Sequence, residues 1–237
     1  MPRPPTPAPW RRRSAGTEPR GEARATIAAA DHASEGTLVS TAQYDLDFKP
    51  GFDGDRAETA VRDLIEAIGE NLHREGLSDS PRRIVAMYRE LFDGLNHDPV
   101  EVLSVGFEEG HDELVILREI PFYSMCEHHF MPFHGQAHIG YMPNGRIVGL
   151  SKIARAVEIL ARRPQVQERL TTQIADCIED VLSAQGVGVV IEAEHLCMTA
   201  RGVRKPGATM VTSAMRGCFR DDANTRQEFL GLIRPSS

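Results

Sequence analysis

The most restrictive feature of the sequence is a pair of consecutive amphipathic helices that lies between two pairs of strands. The helices are predicted at 151–163 and 165–185, and in the longer one apolar residues recur every three or four positions. The predicted strands lie on both sides of this pair, at 113–123, 134–142, 187–197 and 208–220. Strand pairs separated by a helical pair predict an α+β fold with a mostly antiparallel sheet.

The chain before these elements divides into a helical segment and a tail. Apolar residues at steps of three and four predict a helix from about residue 55, and Asp79-Ser80-Pro81 predicts the start of a second helix that ends near Gly94. Residues 1–35 are rich in proline and arginine and poor in large aliphatic residues, which is typical of a disordered segment. The predicted organisation is a disordered tail at 1–45 and one catalytic domain at 46–237, with N-terminal helices at 55–95 and a core at 112–233.

The composition excludes several classes of protein. No apolar run approaches the ~20 residues of a membrane span, so we expect no membrane partner. The net charge of −7 argues against a nucleic-acid partner, and an acidic chain that binds an anion must concentrate its positive charge locally. Four cysteines are too few for a disulfide scaffold of this length, which favours reduced thiols and a cytoplasmic location.

Two segments carry the residues that zinc prefers. Cys126 and His129 are three positions apart, so one turn can direct both side chains at a single ion, while His128 points elsewhere. In the strand predicted at 187–197, alternation places His195 and Cys197 at the end of the apolar face. Cys126, His129 and Cys197 would make three protein ligands and leave the fourth position for water, as in catalytic zinc sites.

The alternative interpretation is that the two cysteines of this group are ordinary buried thiols. Cys177 lies on the apolar stripe of the long helix and is predicted to belong to the core, and Cys218 is predicted to be structural within a strand. His134 and His138 fall in an alternating strand, where packing or hydrogen bonding is the expected role.

Basic residues cluster at two predicted helix starts and in one loop. They are Arg82 and Arg83, Lys152 and Arg155, and then Arg201, Arg204 and Lys205. The start of a helix suits phosphate, because its N–H groups are free and its dipole is positive there. Ser151 is the predicted N-cap of the third helix. For each arginine alone, a surface ion pair is the competing interpretation.

Four motifs in order resemble the signature of the GTP cyclohydrolase I family. They are Ser124-Met125-Cys126-Glu127-His128-His129-Phe130-Met131-Pro132-Phe133-His134-Gly135, Gly149-Leu150-Ser151-Lys152-Ile153-Ala154-Arg155, Gln165-Val166-Gln167-Glu168-Arg169-Leu170-Thr171 and His195-Leu196-Cys197-Met198-Thr199-Ala200-Arg201-Gly202. The resemblance extends from about residue 55 to residue 233. It implies the tunnelling fold, in which an antiparallel sheet carries a pair of helices on one face, and a toroidal homodecamer with sites between subunits. It also implies conversion of GTP and water to 7,8-dihydroneopterin triphosphate and formate, the entry step to folate and other pterins.

The resemblance also implies roles for individual residues. The zinc ligands would be Cys126, His129 and Cys197. The proton-transfer pair would be His128 and His195. Glu168 would bind guanine with Gln167 beside it. The residues implied for the triphosphate and ribose are Lys152, Arg155, Arg201, Arg83 and Ser151.

Two other functions compete with this assignment. A zinc nucleobase deaminase requires H-x-E and a downstream P-C-x-x-C, and the sequence has neither motif. A non-catalytic pterin- or nucleotide-binding scaffold with a structural zinc would be favoured by a fourth protein ligand, or by loss of His128 or His195. Both histidines are present.

Overall fold

The computed structural model describes residues 51–234, so the predicted tail at 1–45 lies outside the described residues. The α-helices are α1 (Gly54–Ala67), α2 (Ser80–Leu91), α3 (Pro99–Leu103), α4 (Leu150–Ala161), α5 (Gln167–Leu182), α6 (Leu196–Thr199), α7 (Cys218–Asp221) and α8 (Ala223–Leu232). The strands are β1 (Gly106–Glu108), β2 (Val115–Cys126), β3 (Met131–Met142), β4 (Arg146–Val148), β5 (Pro164–Gln165), β6 (Gly186–His195) and β7 (Thr209–Gly217). None of the described helices is long and apolar enough to cross a membrane.

The main sheet has five strands in the order β5-β2-β3-β6-β7. Every pairing in it is antiparallel except that of β2 with the short β5. The two long helices, α4 and α5, lie between the β2-β3 pair and the β6-β7 pair in sequence. The prediction of an α+β fold with a mostly antiparallel sheet is therefore confirmed.

The two faces of the sheet carry different layers. Alternate residues of β6 from Val187 to Ala193 are buried in the core with apolar side chains of α4 and α5. Val190, on the opposite face of β6, packs with Phe219 and Phe229 of the C-terminal helices. A Cβ atom at Gly188 would lie 2.6 Å from the Phe219 ring, so glycine is required where this ring lies on the sheet. The helical pair on one face agrees with the tunnelling fold that the resemblance implies.

Several boundaries differ from the sequence-based predictions for identifiable reasons. The long helix begins at Gln167 rather than residue 165, because Pro164 and Gln165 pair with β2 as β5. Ser151 is not the N-cap of α4: Gly149 is, and its carbonyl already accepts a hydrogen bond from the backbone N–H of Lys152 at 2.8 Å. The predicted cap Asp79 does precede α2, but its side chain makes no capping hydrogen bond.

The sequence Asn144-Gly145 is typical of a hairpin turn, but the strands on either side of it, β3 and β4, do not pair with each other. The strand after this turn, β4, pairs with β1 and forms a separate two-stranded sheet. Arg146 contributes to that arrangement, since its guanidinium donates a hydrogen bond to the Ser104 carbonyl at 2.6 Å. The strand β1, which is distant in the sequence, therefore pairs with β4 in place of β3.

The strand predicted to contain the candidate ligand Cys197, β6, also ends earlier than predicted. The β3-β6 ladder stops at the Phe133–His195 pair, and β7 pairs with β6 only as far as Glu194. Without a partner beyond this point, the chain turns into α6, which contains Cys197. Cys218 likewise begins α7 instead of lying in a strand, because β7 ends at Gly217.

Candidate metal centre and substrate site

Three side chains predicted to bind metal converge at one end of the sheet. Cys126 is the last residue of β2, His129 lies in the following turn, and Cys197 lies in α6. Their sulfur and nitrogen ligand atoms all lie within 4.8 Å of one another. The structure thus brings together residues that are 71 positions apart in the chain.

The spacing of these atoms fits a tetrahedral ion. The Cys126 Sγ lies 3.8 Å from His129 Nδ1 and 4.0 Å from Cys197 Sγ. Bonds of 2.0–2.3 Å at tetrahedral angles require ligand–ligand separations of roughly 3.5–3.8 Å. These two separations are slightly larger, and the His129–Cys197 separation is at most 4.8 Å, so side-chain adjustment would complete the geometry. Among residues 51–234, the group has three such members, so a tetrahedral ion bound here would have one position open.

The backbone of the turn explains why two ligands face one point. The N–H groups of His129 and Phe130 both point at the Cys126 carbonyl, with N···O distances of 3.3 and 2.8 Å. Phe130 adopts a left-handed φ of 49°, which is uncommon for an aromatic residue and reverses the chain direction. The turn therefore returns the His129 ring towards Cys126, while the neighbouring His128 ring projects outwards.

His195 is held by two contacts beside the metal group. Its ring is parallel to that of Phe133, with a centroid separation of 4.5 Å and an interplanar angle of 3°. Its Nε2 lies 2.8 Å from the side-chain oxygen of Gln167. The ring can therefore neither tilt nor rotate freely. The sequence analysis did not identify Phe133 as a support for His195. The only signal for it was an aromatic residue near the start of a strand.

Gln167 determines which nitrogen of His195 carries a proton. The Gln167 side chain is buried, and its Nε2 donates to the carbonyls of Ile191 and Met210 at 3.1 and 2.9 Å. It also lies 3.1 Å from the Thr212 hydroxyl. Because two carbonyls can only accept, the amide oxygen must face His195, and His195 Nε2 must donate to it. Nδ1 then carries the lone pair of the neutral imidazole.

Burial adjusts the ionisation of the groups in this region. Burial lowers the pKa of His195 below its ordinary value, and the negative charge of Glu168 partly opposes that shift. Burial raises the pKa of the Cys197 thiol, as does neighbouring Cys126, while Arg201 acts in the opposite direction.

His128 occupies a different position from His195. Its side chain is 65% exposed, and its ring centre lies 6.2 Å from that of His129. The Nε2 atom is 3.9 Å from a carboxylate oxygen of Glu127. An exposed imidazole beside a metal ligand can exchange protons with solvent and with a molecule bound at the open side of the site.

Glu168 lies in the first turn of α5, directly after the buried Gln167. Its carboxylate is exposed, in contrast to its neighbour. The positive end of the helix dipole suits an acidic residue at this position. Glu168 is therefore available to a ligand, whereas the side chain of Gln167 is engaged within the protein.

The basic residues are only partly assembled within one chain. Ser151, Lys152 and Arg155 lie on the first turns of α4, and Arg83 on α2 pairs with Asp79 at 3.4 Å. Arg155 lines two cavities of about 320 and 310 Å³, neither of which includes a metal-ligand candidate. Among the described residues, no hydrogen bond or ion pair connects these side chains to the metal group.

The remaining cysteine and histidine candidates have structural environments. Cys177 is fully buried in the core, and burial raises the pKa of its thiol to about 12. His134 stacks on Tyr123, and His138 Nδ1 accepts a hydrogen bond from the backbone N–H of Glu119 at 3.3 Å. The predictions that Cys177 belongs to the core and that these histidines pack or form hydrogen bonds are confirmed.

Comparison with known proteins places the chain in a family. The family model described as GTP cyclohydrolase I matches residues 57–234. A GTP cyclohydrolase 1 of Dehalococcoides mccartyi is 58% identical over 185 residues, covering 77% of this chain and 98% of the relative. One from Mycobacterium leprae is 60% identical over 184 residues, covering 77% and 90%. A solved archaeosine synthase covers 44% of this chain and 93% of its own, with 16% identity and a TM-score of 0.37. The chain belongs to the GTP cyclohydrolase I family.

Proposed function

We propose that this protein is a zinc-dependent GTP cyclohydrolase I, which converts GTP and water to 7,8-dihydroneopterin triphosphate and formate. The observation that carries the proposal is the convergence of Cys126, His129 and Cys197 within 4.8 Å beside the oriented imidazole of His195. This arrangement offers a metal with an open position and a positioned proton carrier, which hydrolysis of a purine ring requires.

Zinc is the metal that suits the three candidate ligands. Two thiolates and one imidazole are soft or borderline donors, and the spacing of their atoms fits tetrahedral coordination. When bound in a site with an open position, zinc lowers the pKa of its water to about 7 and polarises an adjacent substrate atom. A structural zinc normally has four protein ligands, and the described part of the chain supplies three here.

The two histidines divide the proton transfers. His195 presents Nδ1 with its lone pair available, because Nε2 is held as a donor to Gln167. It can therefore accept a proton at Nδ1 and return it to a nitrogen leaving group of the opened ring. His128 is exposed to solvent and can exchange protons during the later ribose rearrangement and ring closure.

Glu168 is the proposed guanine anchor. Guanine presents N1–H and a 2-amino group on one edge, and an ionised carboxylate offers two acceptor oxygens to them. Adenine lacks that pair of donors and would leave the carboxylate unpaired. The Gln167 side chain forms hydrogen bonds with His195 and with backbone carbonyls of β6 and β7. We therefore assign Gln167 a positioning role instead of direct contact with the base.

The triphosphate would be bound by the basic residues around α4 and the loop after α6. Arg201 lies four residues after the candidate ligand Cys197, and α4 offers free backbone N–H groups together with Ser151, Lys152 and Arg155. Because Arg83 and Arg155 make no hydrogen bond or ion pair with the metal group in the described part of one chain, we propose that assembly of a homodecamer completes the site between subunits. The four free cysteines are compatible with a cytoplasmic location.

The proposal is tested by incubating the purified chain with GTP or ATP and detecting formate and a pterin chromophore. We expect both products from GTP and neither from ATP. Pretreatment with a chelator should abolish turnover, and added zinc should restore it. Unchanged GTP in the presence of fully zinc-loaded protein would refute the proposed activity, and equal turnover of ATP would refute the role of Glu168.

A further inference from the structure

One ion pair joins the metal-binding turn to the helix that carries the proposed guanine anchor. Arg169 on α5 donates two hydrogen bonds to Glu127, from Nη1 to Oε2 at 2.5 Å and from Nη2 to Oε1 at 3.0 Å. Both side chains are about one-third exposed or less, at 27% for Arg169 and 30% for Glu127. This two-pronged geometry fixes orientation as well as distance, which a single contact does not.

The positions of the two residues in the sequence make the pair informative. Glu127 directly follows the metal-ligand candidate Cys126, and Arg169 directly follows Glu168. The ion pair therefore links the turn that carries a proposed metal ligand to the helix that carries the proposed guanine anchor. A change in the distance between Glu127 and Arg169 would therefore alter the distance between the bound metal and the carboxylate of Glu168.

The turn is also held on its other sides. The Glu127 N–H donates to the Gln165 carbonyl at 3.0 Å, which fixes the start of the turn to β5. The Phe130 ring packs edge-on against Tyr88 of α2 and against Phe92, which directly follows that helix, with ring-centre separations of 6.5 and 5.5 Å. Neither contact reaches α5. Among the described residues, the Glu127–Arg169 pair is the side-chain ion pair that connects the turn to that helix.

We propose that Glu127 and Arg169 form a positioning clamp, which sets the alignment of the base bound at Glu168 relative to the metal held at Cys126 and His129. Neither residue needs to touch the substrate. This inference rests on the proposed function for its effect on turnover, but its effect on metal binding is independent of turnover. Displacement of a reacting group by about 1 Å can cost ~10²-fold in rate, so a clamp of this kind has a measurable effect.

The test uses Glu127→Gln, Arg169→Met, the double variant and Arg169→Lys, each saturated with zinc. We expect the single variants to lose ~10–100-fold in kcat for GTP with a smaller change in KM, because alignment and not ground-state binding is impaired. Arg169→Lys should also lose turnover, since lysine retains the charge but not the two-pronged geometry. The double variant should be no slower than the slower single variant, because the two residues act as one unit.

Metal affinity provides the second readout, measured by competition with a chromophoric chelator. We expect Glu127→Gln and Arg169→Met to weaken zinc affinity ~10-fold while still binding one zinc per chain at saturation, as is typical when a support of a metal ligand is removed. If the parent protein turns over no GTP but both variants weaken zinc affinity, the proposed function fails, whereas the role of the pair in holding the metal-binding turn stands.

The matched control is another ion pair on the same helix. Asp176 of α5 accepts from Arg216 of β7 at 2.6 Å, with side-chain exposures of 36% and 20%. Asp176→Asn should lower stability by an amount similar to Glu127→Gln but leave kcat and zinc affinity unchanged. Native kcat and native zinc affinity in the Glu127 and Arg169 variants, or equal losses in the Asp176 control, would overturn the clamp.

Discussion

Replacement of Gln167 by alanine should reduce turnover without removing the metal. The Gln167 side chain makes four polar contacts inside the protein, to His195, Ile191, Met210 and Thr212. The Thr212 hydroxyl keeps a second partner in the Thr171 hydroxyl at 2.6 Å, so three contacts are lost without replacement. At ~1 kcal/mol for each neutral hydrogen bond, Gln167→Ala should lower the free energy of unfolding by about 3 kcal/mol.

The effect on catalysis follows from the freed imidazole. Without the amide oxygen, the His195 ring can adopt either tautomer and can rotate about its stacking contact with Phe133. Since positioned acid–base groups contribute ~10²–10⁴-fold, partial loss of this orientation should cost ~10–10²-fold in kcat. Zinc content should remain at one ion per chain, because none of the three candidate ligands contacts Gln167 through a hydrogen bond in the described structure.

The assay combines urea unfolding, zinc content and steady-state kinetics with GTP at a temperature where each variant is folded. Gln173→Ala is the matched control, since Gln173 lies on the same helix, is buried, and its side chain accepts a hydrogen bond from Gln165 at 2.8 Å. This control should lose stability but keep native kcat. A destabilised Gln167→Ala that retains native kcat would refute the argument that the amide orients His195.

Three further predictions concern individual residues. Cys197→Ser should lose zinc and turnover together when metal content and activity are measured, whereas Cys177→Ala should keep full activity and lose roughly 1–2 kcal/mol of stability in urea unfolding. His128→Ala and His195→Ala should each retain zinc but lose ~10²–10⁴-fold in kcat, and loss of the metal from either would identify a ligand mistaken for a catalyst. Glu168→Ala should be folded and zinc-loaded but inactive with GTP, and near-native GTP kinetics would return this residue to the role of a surface charge.

The features predicted correctly are those governed by nearby residues. Alternation along β6 identified its buried face from Val187 to Ala193, because side-chain direction in a strand repeats every two residues. The apolar stripe of α5 predicted the burial of Cys177 for the same local reason. The three-residue spacing of Cys126 and His129 predicted that one turn would bring their ligand atoms together, and these atoms lie 3.8 Å apart.

The features that sequence reasoning missed depend on distant partners. Cys197 lies in α6 and not in β6, since β6 pairs with β3 only as far as His195 and with β7 only as far as Glu194. A position-by-position pattern in one strand contains no information on where the neighbouring strands end. The turn at Gly145 similarly gave no indication that β4 would pair with β1.

The roles of polar side chains were also beyond local reasoning. Gln167 and Glu168 are adjacent in one helix turn, yet one is buried and the other is exposed. Helical periodicity assigns them to different sides, but only the packed structure shows that the Gln167 amide meets His195 and the carbonyls of β6 and β7. The pairing of Glu127 with Arg169, 42 residues apart, is a similar case.

The most direct test of the proposed activity follows the carbon at position 8 of guanine. GTP labelled with ¹³C at C8 is supplied to the purified protein in three states: as isolated, stripped by a chelator, and restored with zinc. We predict that the label appears in formate, in a one-to-one ratio with the pterin product, in the first and third states only. Label that stays in the purine with zinc-loaded protein, or formate released equally by the metal-free protein, would contradict a zinc-dependent GTP cyclohydrolase.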